Sequence, residues 1–403
     1  MNHKRLHTRL LALLLCCALV LPLSACGEDK STTQQIFAMD TVMDLTAYGK
    51  KADDGINAAI SIINSMDTLL DPENERSKTY EINHAMGGSV VVNEQIAKML
   101  RTAQTVYERS DGALDLTTYP LSKLWGFIDQ NYRVPSDAEI ERLLPCVDMS
   151  KVQLSSTDDS ANSLVTMPAD MSLSFGAVAK GCASDYAIQA MRAAGVTSGV
   201  VSLGGNVQTL GKKPDGSDWN IAVQDPNDTG SYLGYLTVGE TAVITSGSYQ
   251  RFFTEGGQKY HHILSPKTGL PVNNGLLSVT IVCEDGTMAD CLSTAMFVLG
   301  PQAALHYWRT YGGLEMVLAK PGGHVGATYS ASRQTWLGAF WCAGCRTARC
   351  CVRASRRRKP TAARRTRPVM PVTGAQSARR CSITTAARST STSATACTGC
   401  STS

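Results

Sequence analysis

Between Ile56 and Ala319 the apolar residues change period several times, and this alternation limits the chain to folds that pack helices against sheets. Ala59, Ile60, Ile63, Met66 and Leu70 follow Ile56 at the three-and-four spacing of an amphipathic helix. Asn93 is a natural N-cap for a second helix presenting Ile96, Met99, Leu100, Ala103, Val106 and Tyr107. A third helix is expected from about Gly176 to Ala194, stopped by Gly195, and a last one from about Met288 to Leu299. Strand-like runs span Gly199 to Leu203, Trp219 to Val223, Thr241 to Thr245, Leu276 to Cys283 and Glu315 to Ala319. Helices and hairpin-like strands in mixed order predict an α+β fold: two subdomains, mixed sheets flanked by helices, and a cleft between.

The two ends of the chain differ from this middle. Lys4, Arg5 and Arg9 precede an apolar run from Leu10 to Leu21, too short for a comfortable membrane span but suited to a secretory signal over residues 1–25. The run ends in Leu23-Ser24-Ala25-Cys26, which resembles a bacterial lipobox, so Cys26 is expected to be lipidated on the extracytoplasmic face of the cell membrane. A plain signal peptide with an incidental cysteine is the alternative. Residues 26–35 read as a polar tether and 36–330 as the folded domain. Residues 331–403 carry thirteen Arg, one Lys and no acid, alternating with Ala, Thr, Ser and Cys without hydrophobic period. This tail reads as out-of-frame coding or a disordered segment, with Cys342-x-x-Cys345 and Cys397-x-x-Cys400 leaving a metal module open. Removing its +14 from the chain's formal +4 leaves about −10 for residues 1–330, which disfavours nucleic-acid binding. Cys146, Cys182, Cys283 and Cys291 lack metal-ligand spacing and read as buried thiols or a disulfide.

Four segments could carry chemistry. In Ala289-Asp290-Cys291-Leu292-Ser293-Thr294-Ala295 a carboxylate and two hydroxyls share one helix face. These hard oxygen donors suit Mg²⁺ bridging to substrate phosphates, although such residues near a helix start are commonly caps. Ser202-Leu203-Gly204-Gly205-Asn206 ends a strand in a double glycine, fit for a tight turn or for close passage by a bulky ligand. Thr245-Ser246-Gly247 ends another strand and leads through Arg251 to His261-His262-Ile263-Leu264-Ser265-Pro266-Lys267-Thr268-Gly269-Leu270-Pro271. A His pair before a Pro-and-Gly turn offers a general base or a metal ligand, or is a solvated loop.

In order, these segments resemble the FAD:protein FMN transferases of the ApbE family, over roughly Ile36 to Thr328. Met39-Asp40-Thr41, Ser77 to Asn83, Gly112-Ala113-Leu114-Asp115-Leu116-Thr117 and Gly176-Ala177-Val178-Ala179-Lys180-Gly181 add to the match. The resemblance implies that Met39, Ala113, Leu114, Asp115, Lys180, His262 and Ile263 contact FAD, the substrate. It implies that Asp290, Ser293, Thr294 and the Ala177 carbonyl hold Mg²⁺. The implied reaction is attack by an acceptor protein's threonine, in a Ser/Thr/Ala-rich motif of an exported redox subunit, on the FMN-side phosphorus, with AMP departing. His262 is the favoured base and His261 the second. FAD hydrolysis and flavin binding without chemistry are the competing readings. The family usually has Gly where Asp40 stands and Asp where Ser174 stands.

Overall fold

A computed structural model describes residues 31–159, 161–328, 335–337 and 352–353 of the 403-residue chain. The expected signal segment and Cys26 lie outside the described residues.

Strands β1 (Ser31–Ala38) and β2 (Thr41–Tyr48) form a hairpin in which Ala38 pairs with Thr41, leaving Met39 and Asp40 as a two-residue turn. Their φ angles of 48° and 58° have the sign that a type I′ turn requires at both centres. Ser31–Gln35, expected in the tether, is therefore part of the sheet. Its polar residues hid it, because an edge strand with a wet face is held by its backbone ladder rather than by apolar burial.

Helix α1 (Ala52–Leu70) follows, then α2 (Lys78–Asn83), β3 (Ser89–Asn93), α3 (Glu94–Arg109), α4 (Tyr119–Leu124), α5 (Asp137–Leu143), β4 (Gln153–Ser156) and β5 (Asn162–Thr166). The chain continues through α6 (Ala179–Ala193), β6 (Gly199–Leu203), β7 (Asn206–Leu210), β8 (Trp219–Asp225), β9 (Asp228–Val238) and β10 (Ala242–Gly247). The hairpin β11 (Phe252–Glu255) and β12 (Gln258–His261) precedes β13 (Ser278–Cys283), α7 (Gly286–Tyr311), β14 (Glu315–Lys320) and β15 (His324–Ala327). Two short strands, β16 (Thr335–Leu337) and β17 (Val352–Arg353), fall within the expected tail and pair with β9 and β15.

Nine strands make the central sheet in the order β1-β2-β6-β7-β10-β13-β14-β15-β17, and every pairing among them is antiparallel. Alternation along each strand splits its side chains between two covers. Ile244, Ile281 and Met316 join the core under α1, α3, α6 and α7. Val243, Val282 and Val317 point the other way, against Trp219, Ile221 and Leu236 of the β8–β9 hairpin. Covered on both faces, β13 is buried almost throughout, and it supplies the strand expected over Leu276 to Cys283. A third, smaller core joins Leu121, Trp125, Phe127, Ile140 and Leu264, with Phe253 and Tyr260 of the β11–β12 hairpin packed on it. It forms the second subdomain.

Asn93 caps α3 as expected, its side chain accepting the Ile96 N–H at 3.1 Å. Helix α6 begins at Ala179 rather than Gly176, because residues 175–178 make a turn in which the Val178 and Ala179 N–H groups both reach the Phe175 carbonyl at 2.8 Å. Helix α7 passes the expected stop at Leu299. Gly300 (φ 78°) and Pro301 break its regularity, yet Ala304 and Tyr307 beyond them remain buried, so packing carries the chain on in helical form. The four cysteines in this part of the chain are free thiols.

Candidate active site

The three cores meet at a cleft of about 950 Å³. Its walls come from the β1–β2 turn, the Ala113–Leu116 segment, the turn before α6, the ends of β6 and β10, and the loop after β12. Each strand end delivers a loop where its ladder stops, so residues far apart in sequence converge here.

The base of the cleft is the start of α7. Asp185 of α6 fixes that start, accepting the N–H groups of Gly286 (2.8 Å) and Thr287 (3.0 Å), the Thr287 hydroxyl (2.6 Å) and the Gln208 amide (3.0 Å). Burial acts to raise its carboxyl, but Lys98 at 2.8 Å, with Thr287 and Gln208, outweighs burial and holds it below the ordinary range. Asp285, the N-cap, accepts the Met288 N–H at 2.8 Å.

One turn on, Asp290 is 4% exposed and lines the cleft. Its oxygens accept the Gly181 N–H at 2.8 Å and the Asn206 amide at 2.9 Å. Burial raises its carboxyl above the ordinary value, against the pull of Lys180 and of these two donors. A buried acid with neutral donors is poised to gain from a divalent cation. The Gly181 N–H is also the group that a regular helix would return to the Ala177 carbonyl. That N–H goes to Asp290 instead, and Ala177 itself lines the cleft. Thr294 lines the cleft beside Ser246, whose hydroxyl is 3.2 Å from that of Thr294 and 2.7 Å from that of Ser293. These oxygens fit Mg²⁺, which takes few protein ligands and completes its shell with water and phosphate. Among the described residues no three His, Cys, Asp or Glu side chains gather as a metal cluster.

Ser293, expected as a ligand, is placed differently. It is fully buried, donates to the Asp290 carbonyl at 2.9 Å and is not on the cleft wall. Its hydroxyl serves the helix three residues back, and Ser246 is the hydroxyl beside Thr294 that helix spacing alone could not identify.

The two histidines also part. The second-choice base, His261, is 7% exposed and uses both ring nitrogens: Nε2 donates to the Val272 carbonyl at 2.9 Å and Nδ1 accepts the Ile263 N–H at 3.2 Å. His262 lines the cleft, and its Nδ1 donates to the Arg251 carbonyl at 3.1 Å, which leaves the Nε2 lone pair free in the neutral ring. Burial, reinforced by the charges of Arg251, His261 and Lys180, pushes the imidazolium down to about 3.

Of the residues expected at the flavin, Met39, Ala113, Leu114, Lys180 and Ile263 all line the cleft. The Met39 N–H donates to Asp67 at 2.9 Å, pinning the hairpin turn to α1. Asp115 lies on the wall too, but its carboxylate is occupied: Oδ1 accepts from Thr117 (N–H 2.8 Å, hydroxyl 2.5 Å) and Oδ2 from the Met149 N–H (3.0 Å). Burial raises this carboxyl, and its bonds shape the segment that carries Ala113 and Leu114. Ser174 accepts the Gly176 N–H at 3.2 Å, bracing the turn before α6. The double glycine is the two-residue turn of the β6–β7 hairpin, with φ of 61° and 92°, and both residues line the cleft. A Cβ on Gly204 would stand 2.5 Å from the Thr41 hydroxyl, so the expected tight turn is present and leaves no room for a side chain at that position.

Residues 39–318 match the ApbE family. Among similar proteins, an FAD:protein FMN transferase of Klebsiella pneumoniae is 33% identical over 59% of this chain and 73% of its own length. One from Treponema pallidum is 29% identical over 72% and 84%. The crystal structure of the ApbE protein from Thermotoga maritima superposes with a TM-score of 0.69 at 31% identity, covering 74% of this chain and 97% of that one. Flavin transferase ApbE from Vibrio cholerae, at 22% identity, shares the fold with a TM-score of 0.67 over 75% and 98%. With that match spanning the hairpin turn, the Asp290 helix and the His262 loop that together build the cleft, the chain belongs to the ApbE family.

Proposed function

We propose that this protein transfers FMN from FAD to a threonine hydroxyl of an acceptor protein, releasing AMP, with Mg²⁺ held by Asp290, Thr294 and the Ala177 carbonyl. The observation that carries the reading is one cleft holding both a buried carboxylate ringed by neutral donors and an imidazole with a free Nε2. Mg²⁺ at this place would neutralise charge on the diphosphate and its leaving oxygen. The chain's own groups do the rest. Met39, Leu114 and Ile263 give the isoalloxazine an apolar wall. Lys180, whose charge reaches both Asp290 and His262, adds a cation for the phosphates. The hydroxyl proton passes to His262 Nε2 as the new oxygen–phosphorus bond forms and the bond to AMP breaks.

The depressed His262 gives the pH test. In the free enzyme the ring stays neutral down to about 3, so kcat/KM for FAD should show no acid limb at the ordinary imidazole value of about 6.5. A clear acid limb there, lost in His262→Asn, would remove His262 from this state. Between those two values the unfolded chain binds a proton that the folded one refuses. His262 therefore costs stability as pH falls through 6.5, and nothing above it.

The reading includes a place for the enzyme, on the extracytoplasmic membrane face through lipidated Cys26, supported by the Leu-Ser-Ala-Cys sequence after the apolar run. No helix among the described residues is long and apolar enough to cross a membrane. Cys26→Ser should move the protein from the membrane fraction to the soluble one; retention in the membrane would count against the anchor.

A further inference from the structure

Arg251 is set on the cleft wall by three contacts. Its carbonyl accepts from His262, its Nη1 donates to the Phe127 carbonyl at 3.3 Å, and its Nη2 lies 3.8 Å from Asp40. Asp40 sits at the tip of the β1–β2 hairpin with 79% of its side chain exposed, and that tip is fastened to α1 through the Met39–Asp67 bond. The ion pair therefore spans the cleft, from the edge of the large subdomain to the loop beside the small one. The other acids nearby are otherwise employed: Glu73 is bonded to Tyr119 and Lys123, and Asp67 to the Met39 N–H. Asp40 alone among these faces the guanidinium.

We propose that Arg251 is a diphosphate-binding residue that Asp40 holds until the dinucleotide displaces it, so that Asp40 sets this protein's affinity for FAD. At 3.8 Å and largely exposed, the Asp40–Arg251 pair is loose and easily exchanged. A diphosphate offers the guanidinium more charge and a bidentate fit. The competition lowers affinity for phosphorylated ligands only.

This inference rests on the proposed use of FAD, and binding separates it from catalysis. Flavin fluorescence titrations would give Kd for FAD and for riboflavin, which lacks phosphate, with wild type, Asp40→Asn, Asp40→Gly and Arg251→Gln. Asp40→Asn should tighten FAD about fivefold, the scale of one exposed ion pair, and leave riboflavin unchanged. Asp40→Gly, suited to the positive φ there, should do the same and guards against an effect peculiar to asparagine. Arg251→Gln should weaken FAD about tenfold or more, and adding Asp40→Asn to it should then change nothing. Unchanged or weaker FAD binding in both Asp40 variants, or an equal gain for riboflavin, overturns the proposal. If wild type transfers FMN and that result is found, only this proposal falls. If wild type binds FAD as described but transfers nothing, the transferase reading falls and this one stands. No FAD binding by wild type overturns both.

Discussion

Asp290→Asn should reduce Mg²⁺-dependent FMN transfer by several powers of ten while leaving the fold intact. The side chains are the same size, so no cavity opens. What changes is charge and one acceptor: both Asp290 oxygens now accept hydrogen bonds, from Gly181 and Asn206, and an amide can accept at only one. The other ligands proposed for the cation are neutral oxygens and cannot replace the carboxylate. Stabilisation of the charge that builds on the diphosphate and the departing AMP, worth several kcal/mol, is then lost, at about 1.4 kcal/mol per tenfold in rate. The raised Asp290 carboxyl adds a check with a definite sign. An acid raised on folding favours the folded state when protonated, so without Mg²⁺ wild-type stability should fall as pH rises from the ordinary carboxylate range through Asp290's raised value. Saturating Mg²⁺ should offset that fall, and Asp290→Asn should lack both effects. Titrating Mg²⁺ against transfer and against thermal unfolding for the two proteins would check this; equal Mg²⁺ dependence would sink the assignment.

Gly181→Ala is expected to be strongly disruptive. A Cβ there would stand 2.1 Å from the Gly286 carbonyl oxygen and 2.6 Å from the Asp290 Cβ, and the first is backbone that cannot rotate aside. Helices α6 and α7 would have to separate at the point where the Gly181 N–H bonds Asp290. Overpacking costs typically about 1–3 kcal/mol, and an immovable obstacle argues for the upper end, lowering Tm by about 5 °C. Mg²⁺ affinity should fall with it, because the carboxylate loses its fixed donor. A Gly181→Ala variant with the Tm and Mg²⁺ dependence of wild type would show that the helices can adapt. Gly205→Ala is the contrasting case: its Cβ would meet nothing within 4 Å, so only its positive φ resists.

The core was legible in the sequence wherever one face of an element is buried. Ile56, Ala59, Ile63, Met66 and Leu70 are all buried in α1, and Asn93 caps α3 as its position announces. The β1 strand was not legible, since Thr32, Thr33, Gln34 and Gln35 lie on a wet edge where pairing leaves no apolar trace. The two strands in the tail were hidden in another way: short segments added to existing sheet edges carry no period of their own. At the site, helix spacing put Asp290, Ser293 and Thr294 on one face, but it could not tell that Asp290 and Thr294 line the cleft while Ser293 is buried off its wall. Nor could sequence choose firmly between His261 and His262. Their roles are set by Val272 and Arg251, eleven residues away on either side. Ser246, Asn206 and Arg251 arrive from β10, β7 and the loop before β11, and only the sheet order makes them neighbours of α7 or of the hairpin tip.

Purified protein would be incubated with FAD and Mg²⁺, with and without an exported redox subunit carrying a threonine in a Ser/Thr/Ala-rich segment, following AMP and protein-bound flavin together. AMP should be released one for one with covalent FMN on the acceptor, with little AMP in its absence. Rapid AMP release without acceptor, or acceptor that stays unmodified while AMP accumulates, would instead make this protein an FAD hydrolase.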